Sequence, residues 1–456
     1  MKRIFLWPPL ILAILAIQTS FSAEFIRWQA KEKRVDADIH TWSLPKVLGT
    51  ITEATGWQVF VEPGVDQQIS VKFNNLPPGE ALKRLLGGLS YKVTPETNGL
   101  TLIHVFQTAP QNATQLVRAP VSATNKPSRQ LIPNELIVTL KPGADIDKIA
   151  RELGAKVTGR IDGLNTYRLT FSDEAAAGAG RDALTGNSQV AQIDNNYSME
   201  RPVVADTLGA TGSATINLKP VATGAGSHLV VGLIDTPVQP LGGGMDQFIL
   251  KALSAAGESN PDPNSPTHGT SMAETILRGI SYMAEQNTSN VRILPVDVYG
   301  NNSSTTTYDV AYGIYLAINN GAMVINLSLG SDGNSSFLHS VITSGSQQGV
   351  LFFGAAGNTP VSTPTYPAAY PEVVAVTAGD KKGNIASYAN YGSFVDAVAP
   401  GSTLVYFNGR SYYVSGTSAS TAYASGMAAG LVDSSGKSLS AAASAITTTF
   451  APKQTK

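Results

Sequence analysis

Gly416-Thr417-Ser418-Ala419-Ser420-Thr421-Ala422, continued by the helix-compatible run Tyr423–Val432, is the stretch on which the reading of this chain turns. Small residues surround one serine where a buried helix would begin. Free backbone N–H groups at such a terminus can stabilise an anion. Alone, Gly-Thr-Ser is a turn or N-cap signal. Three upstream segments change its meaning: Val231-Gly232-Leu233-Ile234-Asp235-Thr236, His268-Gly269-Thr270 and Phe353-Gly354-Ala355-Ala356-Gly357-Asn358. In chain order the four segments offer an acid, a base, an oxyanion donor and a nucleophile.

Acyl-transfer chemistry needs those types. A serine hydroxyl is a poor nucleophile at neutral pH, so an imidazole must take its proton during attack. A carboxylate fixes the imidazole's tautomer and stabilises its charged form. A side-chain amide donates to the developing oxyanion beside the serine's own N–H. The order Asp235, His268, Ser418 is one of three known orders for such a triad. With these motifs, residues from about Leu229 to Leu431 resemble a subtilisin-like serine peptidase, a subtilase. The resemblance extends to Gly321–Gly330, similar to the strand that pairs with substrate backbone, with Ser328, Leu329 and Gly330 along the cleft. It includes Tyr366-Pro367-Ala368 at the base of the specificity pocket and the stretch Ile385–Gly401 that leads to the serine. Ala355 and Gly357, with Leu329 and Gly330, are the implied pocket walls, suiting an apolar side chain before the scissile bond.

Each residue also has a plainer reading. Asp235 could cap a turn, Asn358 could be a turn residue tolerant of positive φ, and Ser418 could be an N-cap only. His40, His104, His228 and His339 lie in no catalytic context. Four departures from the family pattern stand out: Pro237 after Asp235-Thr236, Ser271 in place of a second histidine, Glu274 in place of a glycine, and Ala422 in place of a proline. None removes a catalytic group. Pro237 fixes φ and deletes an N–H, and Glu274 is expected to face outward, away from His268.

Apolar, β-rich runs occur at Leu229–Ile234, Val291–Val298, Met323–Leu327, Val350–Phe353 and Val373–Thr377, with helical patterns at Tyr308–Asn319 and Ser336–Gln348. The alternation predicts an α/β fold, a doubly wound and mostly parallel sheet, preceded by two small α+β domains. Asp235 and Asn358 follow strands, and ligand sites in such sheets lie at strand carboxyl ends.

The chain has 456 residues, enough for several cores, and a net charge of −1 that gives no argument for nucleic acid. Met1-Lys2-Arg3, an apolar run Ile4–Ile17 and small residues near Ser22 and Ala23 read as a signal peptide, 1–22. Export to the periplasm or outside the cell is the expectation. There are no cysteines, which excludes thiolate metal sites. No cofactor or metal is assigned. Calcium is common among subtilases, yet no dense carboxylate loop is visible, and Asp262 and Asp297 are isolated.

Residues 34–106 show a βαβ–βαβ pattern with helices at Leu44–Ile51 and Glu80–Leu86. The pattern, with Leu44-Pro45 through Trp57 and Leu76-Pro77 through Gly88, resembles the short N-terminal domain of secretins and TonB-dependent receptors. That resemblance implies docking to an envelope protein; the alternative is a folded spacer. Residues 107–132 read as a Pro/Thr/Ser-rich linker. Residues 133–197 show a βαββαβ order that looks like a subtilase propeptide, an intramolecular chaperone and inhibitor, or else a permanent accessory domain. A linker with the maturation site, expected between Tyr197 and Ser227, spans 198–227, and the peptidase domain spans 228–450. The function implied is an exported serine endopeptidase made as a zymogen, acting on protein or peptide substrates and bound by its own propeptide. The alternatives are a catalytically weak or inactive subtilase-fold scaffold of the envelope, and a dedicated processing enzyme for one partner.

Overall fold

The computed structural model describes residues 24–29, 34–55, 57–62, 65, 67–95, 101–113, 115–117, 130–202, 206–208, 216–221, 228–380 and 382–453. The expected signal peptide lies outside the described residues. Chain contacts divide the molecule into two compact units, 1–120 and 121–456.

The first unit contains β1 (Phe25–Gln29), β2 (Arg34–Ser43), α1 (Leu44–Thr55), β3 (Gln58–Val61), β4 (Gln68–Leu76), α2 (Pro78–Leu86), β5 (Ser90–Pro95), β6 (Thr101–Phe106) and β7 (Gln115–Val117). They form two sheets, ordered β1-β2-β4 and β5-β6-β3-β7. Alternation in β2 buries Val35, Ala37 and Ile39, and helical spacing in α1 buries Leu44, Val47, Leu48 and Ile51 against them. The unit is wider than residues 34–106. β1 precedes it, and β7, inside the stretch read as linker, pairs antiparallel with β3.

The second unit begins with β8 (Leu131–Leu140), α3 (Ile146–Leu153), β9 (Lys156–Ile161), β10 (Thr166–Thr170), α4 (Glu174–Thr185) and β11 (Val190–Glu200). This is the expected βαββαβ order. Asp145 and Asp173 cap α3 and α4 through backbone N–H groups, and Gly154, at φ 66°, ends α3. Leu136, Val138 and Leu140 of β8 pack with residues of α3 and α4. Ile137, on the opposite face, joins a core cluster of the following domain.

That domain holds β12 (Asp206–Leu208), β13 (Lys219–Pro220), β14 (Val230–Asp235), β15 (Leu253–Ser254), α5 (His268–Met283), β16 (Thr288–Ser289), β17 (Arg292–Asp297), β18 (Ser304–Thr306), α6 (Thr307–Asn319), β19 (Ala322–Leu327), α7 (Ser336–Gln347) and β20 (Leu351–Ala355). It continues with β21 (Val373–Gly379), β22 (Ala397–Pro400), β23 (Ser402–Phe407), β24 (Arg410–Ser415), α8 (Thr417–Ser435) and α9 (Leu439–Thr449). The central sheet has seven strands in the order β15-β17-β14-β19-β20-β21-β22, every pair parallel. α5, α8 and α9 cover one face and α6 and α7 the other. β14 and β17 are buried along their whole length, which explains why, apart from Arg292, Asp235 and Asp297 at their ends, their sequences are apolar. The doubly wound α/β fold expected from the sequence is the fold observed.

β11 runs past its own sheet and pairs antiparallel with β18, so one five-stranded sheet is shared by the two halves of this unit. Two polar residues of β11 meet helix starts. Asn196 Oδ1 accepts from Tyr308 N at 3.1 Å and from Thr307 Oγ1 at 3.0 Å at the head of α6. Asp194 Oδ2 accepts from Ser335 Oγ at 2.7 Å and Phe337 N at 2.8 Å at the head of α7. Arg168 of β10 pairs with Asp309 of α6 at 3.1 Å.

Candidate active site

Asp235 is the last residue of β14 and is fully buried. Its Oδ1 accepts from Thr236 N at 2.6 Å. His268 is the first residue of α5, and its Nδ1 lies 2.8 Å and 2.9 Å from Asp235 Oδ1 and Oδ2. That contact holds the ring by one nitrogen and leaves the other, Nε2, away from Asp235. Thr267 caps α5, accepting from Thr270 N at 3.0 Å. Gly269 sits so tightly that an added Cβ would lie 2.1 Å from Thr236 O, and its N–H donates to Thr236 Oγ1 at 2.8 Å.

Gln239, which the sequence did not single out, joins the loop after Asp235 to the loop before His268. Its Oε1 accepts from Thr267 N at 2.7 Å and Thr270 Oγ1 at 3.0 Å. Its Nε2 donates to Asp262 O at 2.8 Å and Ser265 O at 3.2 Å. Pro237 adds to this loop through its carbonyl, which accepts from Thr267 Oγ1 at 2.5 Å. The loop after Asp235 is therefore held to the loop before His268 by hydrogen bonds at Pro237 and at Gln239.

Ser418 is the second residue of α8, and its hydroxyl donates to Ser328 O at 3.2 Å. Ser328 returns a bond from its own hydroxyl to Ser418 O at 3.1 Å, so its side chain braces the start of α8. α5 and α8 meet backbone to backbone. A Cβ on Gly426 would lie 2.2 Å from Ile276 O, and one on Gly279 2.4 Å from Tyr423 O. The helices that begin with the imidazole and with the hydroxyl are thus fixed to one another at contact distance.

Asn358 follows β20. Its Oδ1 accepts from Thr417 N at 2.9 Å, while Thr417 Oγ1 accepts from Gly357 N at 3.1 Å. With Oδ1 occupied, the amide's Nδ2 is the free donor, on the side of Gly416 and the α8 N-terminus. Leu329 and Ala355 are buried. Gly330 lies under Tyr366 O, 2.9 Å from where its Cβ would be, and Ser331 and Tyr366 exchange backbone hydrogen bonds of 2.7 and 2.9 Å. The wall formed by Ser328–Gly330 is thereby joined to the segment Thr365–Ala368, whose Tyr366–Pro367 peptide is cis.

Glu274 corrects an expectation. It does not face outward: it is 5% exposed, pairs with Arg278, and accepts from Tyr406 N of β23 at 2.9 Å. Burial pushes its carboxyl above the ordinary value, more than Arg278 pulls it down. Burial likewise raises Asp309 despite Arg168, and carries Tyr299, near Asp235, well above the usual phenol range. Among the described residues no three His, Asp or Glu side chains gather as a metal site. Asp262 accepts from Asn264 N and Ser265 Oγ, while Asp297 Oδ1 accepts from Tyr299 N and Gly300 N and its Oδ2 is buried without a hydrogen-bond partner.

The fold and these juxtapositions define a class: a doubly wound domain carrying Asp, His and Ser at three strand or helix ends. Residues 226–453 match the model of the subtilase family, Peptidase S8, and residues 117–196 match that of the fervidolysin N-terminal prodomain. The chain is 33% identical over 238 residues to thermitase of Thermoactinomyces vulgaris, covering 50% of this chain and 82% of thermitase. It is 38% identical over 208 residues to a thermophilic serine proteinase of Bacillus sp. strain AK1, covering 44% of this chain and only 51% of that one. The chain belongs to the subtilase family. Its fold is also similar to the crystal structure of fervidolysin from Fervidobacterium pennivorans, described as a keratinolytic enzyme related to subtilisin. There the TM-score is 0.51 at 20% identity, covering 66% of this chain and 54% of that one.

Proposed function

We propose that the chain is an exported serine endopeptidase made as a precursor, with 131–200 as its prodomain. The observation that carries the reading is the pair of contacts from His268 Nδ1 to both oxygens of buried Asp235, on a helix packed against the one that presents Ser418. Ser418 attacks the substrate carbonyl. His268 accepts its proton and returns it to the leaving amine. Asp235 orients the ring, and Asn358 Nδ2 with the Ser418 N–H receives the oxyanion. Ser328–Gly330, Ala355 and Gly357 line the approach for the substrate chain.

The prodomain reading is supported by the shared sheet and by the Asn196 and Asp194 contacts at α6 and α7. The maturation site is proposed between Tyr197 and Ser227, where residues 203–205, 209–215 and 222–227 lie outside the described ones. Export rests on the signal-peptide pattern of residues 1–22. The first unit is read as a docking module for an envelope protein, on its likeness to the short domain of secretins and TonB-dependent receptors.

The test compares intact masses of wild type and Ser418→Ala after incubation at neutral pH. The wild type is expected to be cut between Tyr197 and Ser227 and the variant to stay whole and inactive on peptide substrates. Processing in both would assign the cut to another protease. An uncut wild type that also leaves a fluorophosphonate probe unbound would return the chain to the scaffold reading.

A further inference from the structure

Asn390 lies in the stretch between β21 and β22, outside the catalytic constellation, and is 4% exposed. Three of its four polar groups are spent on the loop that carries Asn358 or on the wall beside it. The backbone N–H donates to Gly357 O at 2.9 Å. Oδ1 accepts from Thr359 N at 2.9 Å. Nδ2 donates to Thr365 Oγ1 at 3.1 Å, next to the Tyr366 that pairs with Ser331. Its carbonyl accepts from Thr377 Oγ1 on β21. The side chain packs so closely that Gly357, at φ +108°, would carry a Cβ 2.5 Å from Asn390 Nδ2.

Asn390 thus holds the residues on both sides of Asn358 while Thr417 holds Gly357 N and Asn358 Oδ1. The oxyanion donor sits on three residues pinned at each end, and one pin also reaches the pocket wall at Thr365. We infer that Asn390 is a positioning residue: it aims the Asn358 amide at the developing oxyanion and couples that aim to the Thr365–Tyr366 wall. This rests on the reading of Asn358 as the oxyanion donor. Catalysis by a preorganised donor depends on where the donor points before reaction, and a misplacement near 1 Å costs about a hundredfold. Removing the Asn390 side chain frees the N–H of exposed Thr359 to turn toward water, and the loop after Asn358 loses that tie.

The experiment is a double-mutant cycle on the full chain with Asn358→Ala and Asn390→Ala, reading kcat and KM on a peptide substrate and affinity for a peptide boronate. Asn390→Ala is expected to lower kcat by about ten- to a hundredfold with little change in KM, and to weaken the boronate by the same factor. In the Asn358→Ala background the same substitution should cost less than about threefold, because no aimed donor remains to lose. An equal loss in both backgrounds, or a loss in KM alone, overturns the positioning role while leaving the oxyanion reading intact. If Asn358→Ala itself leaves kcat and boronate binding unchanged, the oxyanion reading falls and the proposal with it. Should Asn390→Ala fail to fold, Asn390→Ser, which keeps a small polar side chain, carries the same cycle.

Discussion

Gly269 shows how little room a single position leaves. Its missing side chain lets α5 start against the carbonyl of Thr236, one residue beyond the catalytic-type carboxylate. Gly269→Ala must push the start of α5 off that loop and carry His268 with it. Overpacking of this kind costs roughly 1–3 kcal/mol, and the ring's displacement costs more in rate than the fold loses in stability. The variant should melt only moderately lower yet lose about a hundredfold or more in kcat/KM, read by steady-state kinetics beside a thermal melt. At this scale the sequence was legible where chemistry demands a residue type. Asp235, His268, Asn358 and Ser418 stood out as candidates because acid, base, amide and hydroxyl each come with a recognisable neighbourhood. Gln239 and Asn390 did not. An amide's value here is set by partners such as Ser265 or Thr365 that the chain brings near only on folding.

Between elements, Glu274 ties α5 to β23 through the N–H of Tyr406. Its carboxyl is raised above the ordinary 4.5, chiefly by burial. The folded state therefore binds that proton more tightly than the unfolded chain does. The stabilisation is complete below the ordinary value and is lost as pH rises through the raised one. At neutral pH the ionised group is a net cost, even beside Arg278. Glu274→Gln keeps an acceptor for Tyr406 N and removes the charge. It should melt at or above wild type at pH 7, with the difference shrinking as pH is lowered toward 4.5; a melt well below wild type at pH 7 would show the ion pair to be dominant. The expectation that Glu274 faces solvent failed because helical spacing alone treats α5 as having a wet side, whereas β23 covers that side. The five inner strands of the central sheet and the helices α6 and α7 were readable to within a few residues, since strands buried on both faces spell themselves as apolar runs, whereas its edge strands β15 and β22 were not. Edge strands β1 and β7 were not, because a short edge strand is defined by its partner.

Across the second unit, the prodomain is held by specific polar contacts at two helix ends and by the strand it lends to β18. Asp194 and Asn196 each do what an N-cap does, from another part of the chain, and such acceptors contribute about 1 kcal/mol apiece. In the full-length Ser418→Ala precursor, which cannot cut itself, replacing both by alanine should loosen residues 131–200 by about tenfold or more in population. Added trypsin should then nick that region correspondingly faster, while the Asp235–His268 domain stays intact. Equal nicking rates would mean that apolar packing through Ile137, Ile161 and Met199 alone holds the prodomain.

The Gln239 clasp has one more consequence. The N–H groups of Thr267 and Gln239 are held by side-chain oxygens, away from any ladder of sheet or helix bonds. Amide deuteration would find some of the molecule's slowest sites in what is nominally a loop. A protection map read without coordinates would draw a helix or strand there that does not exist.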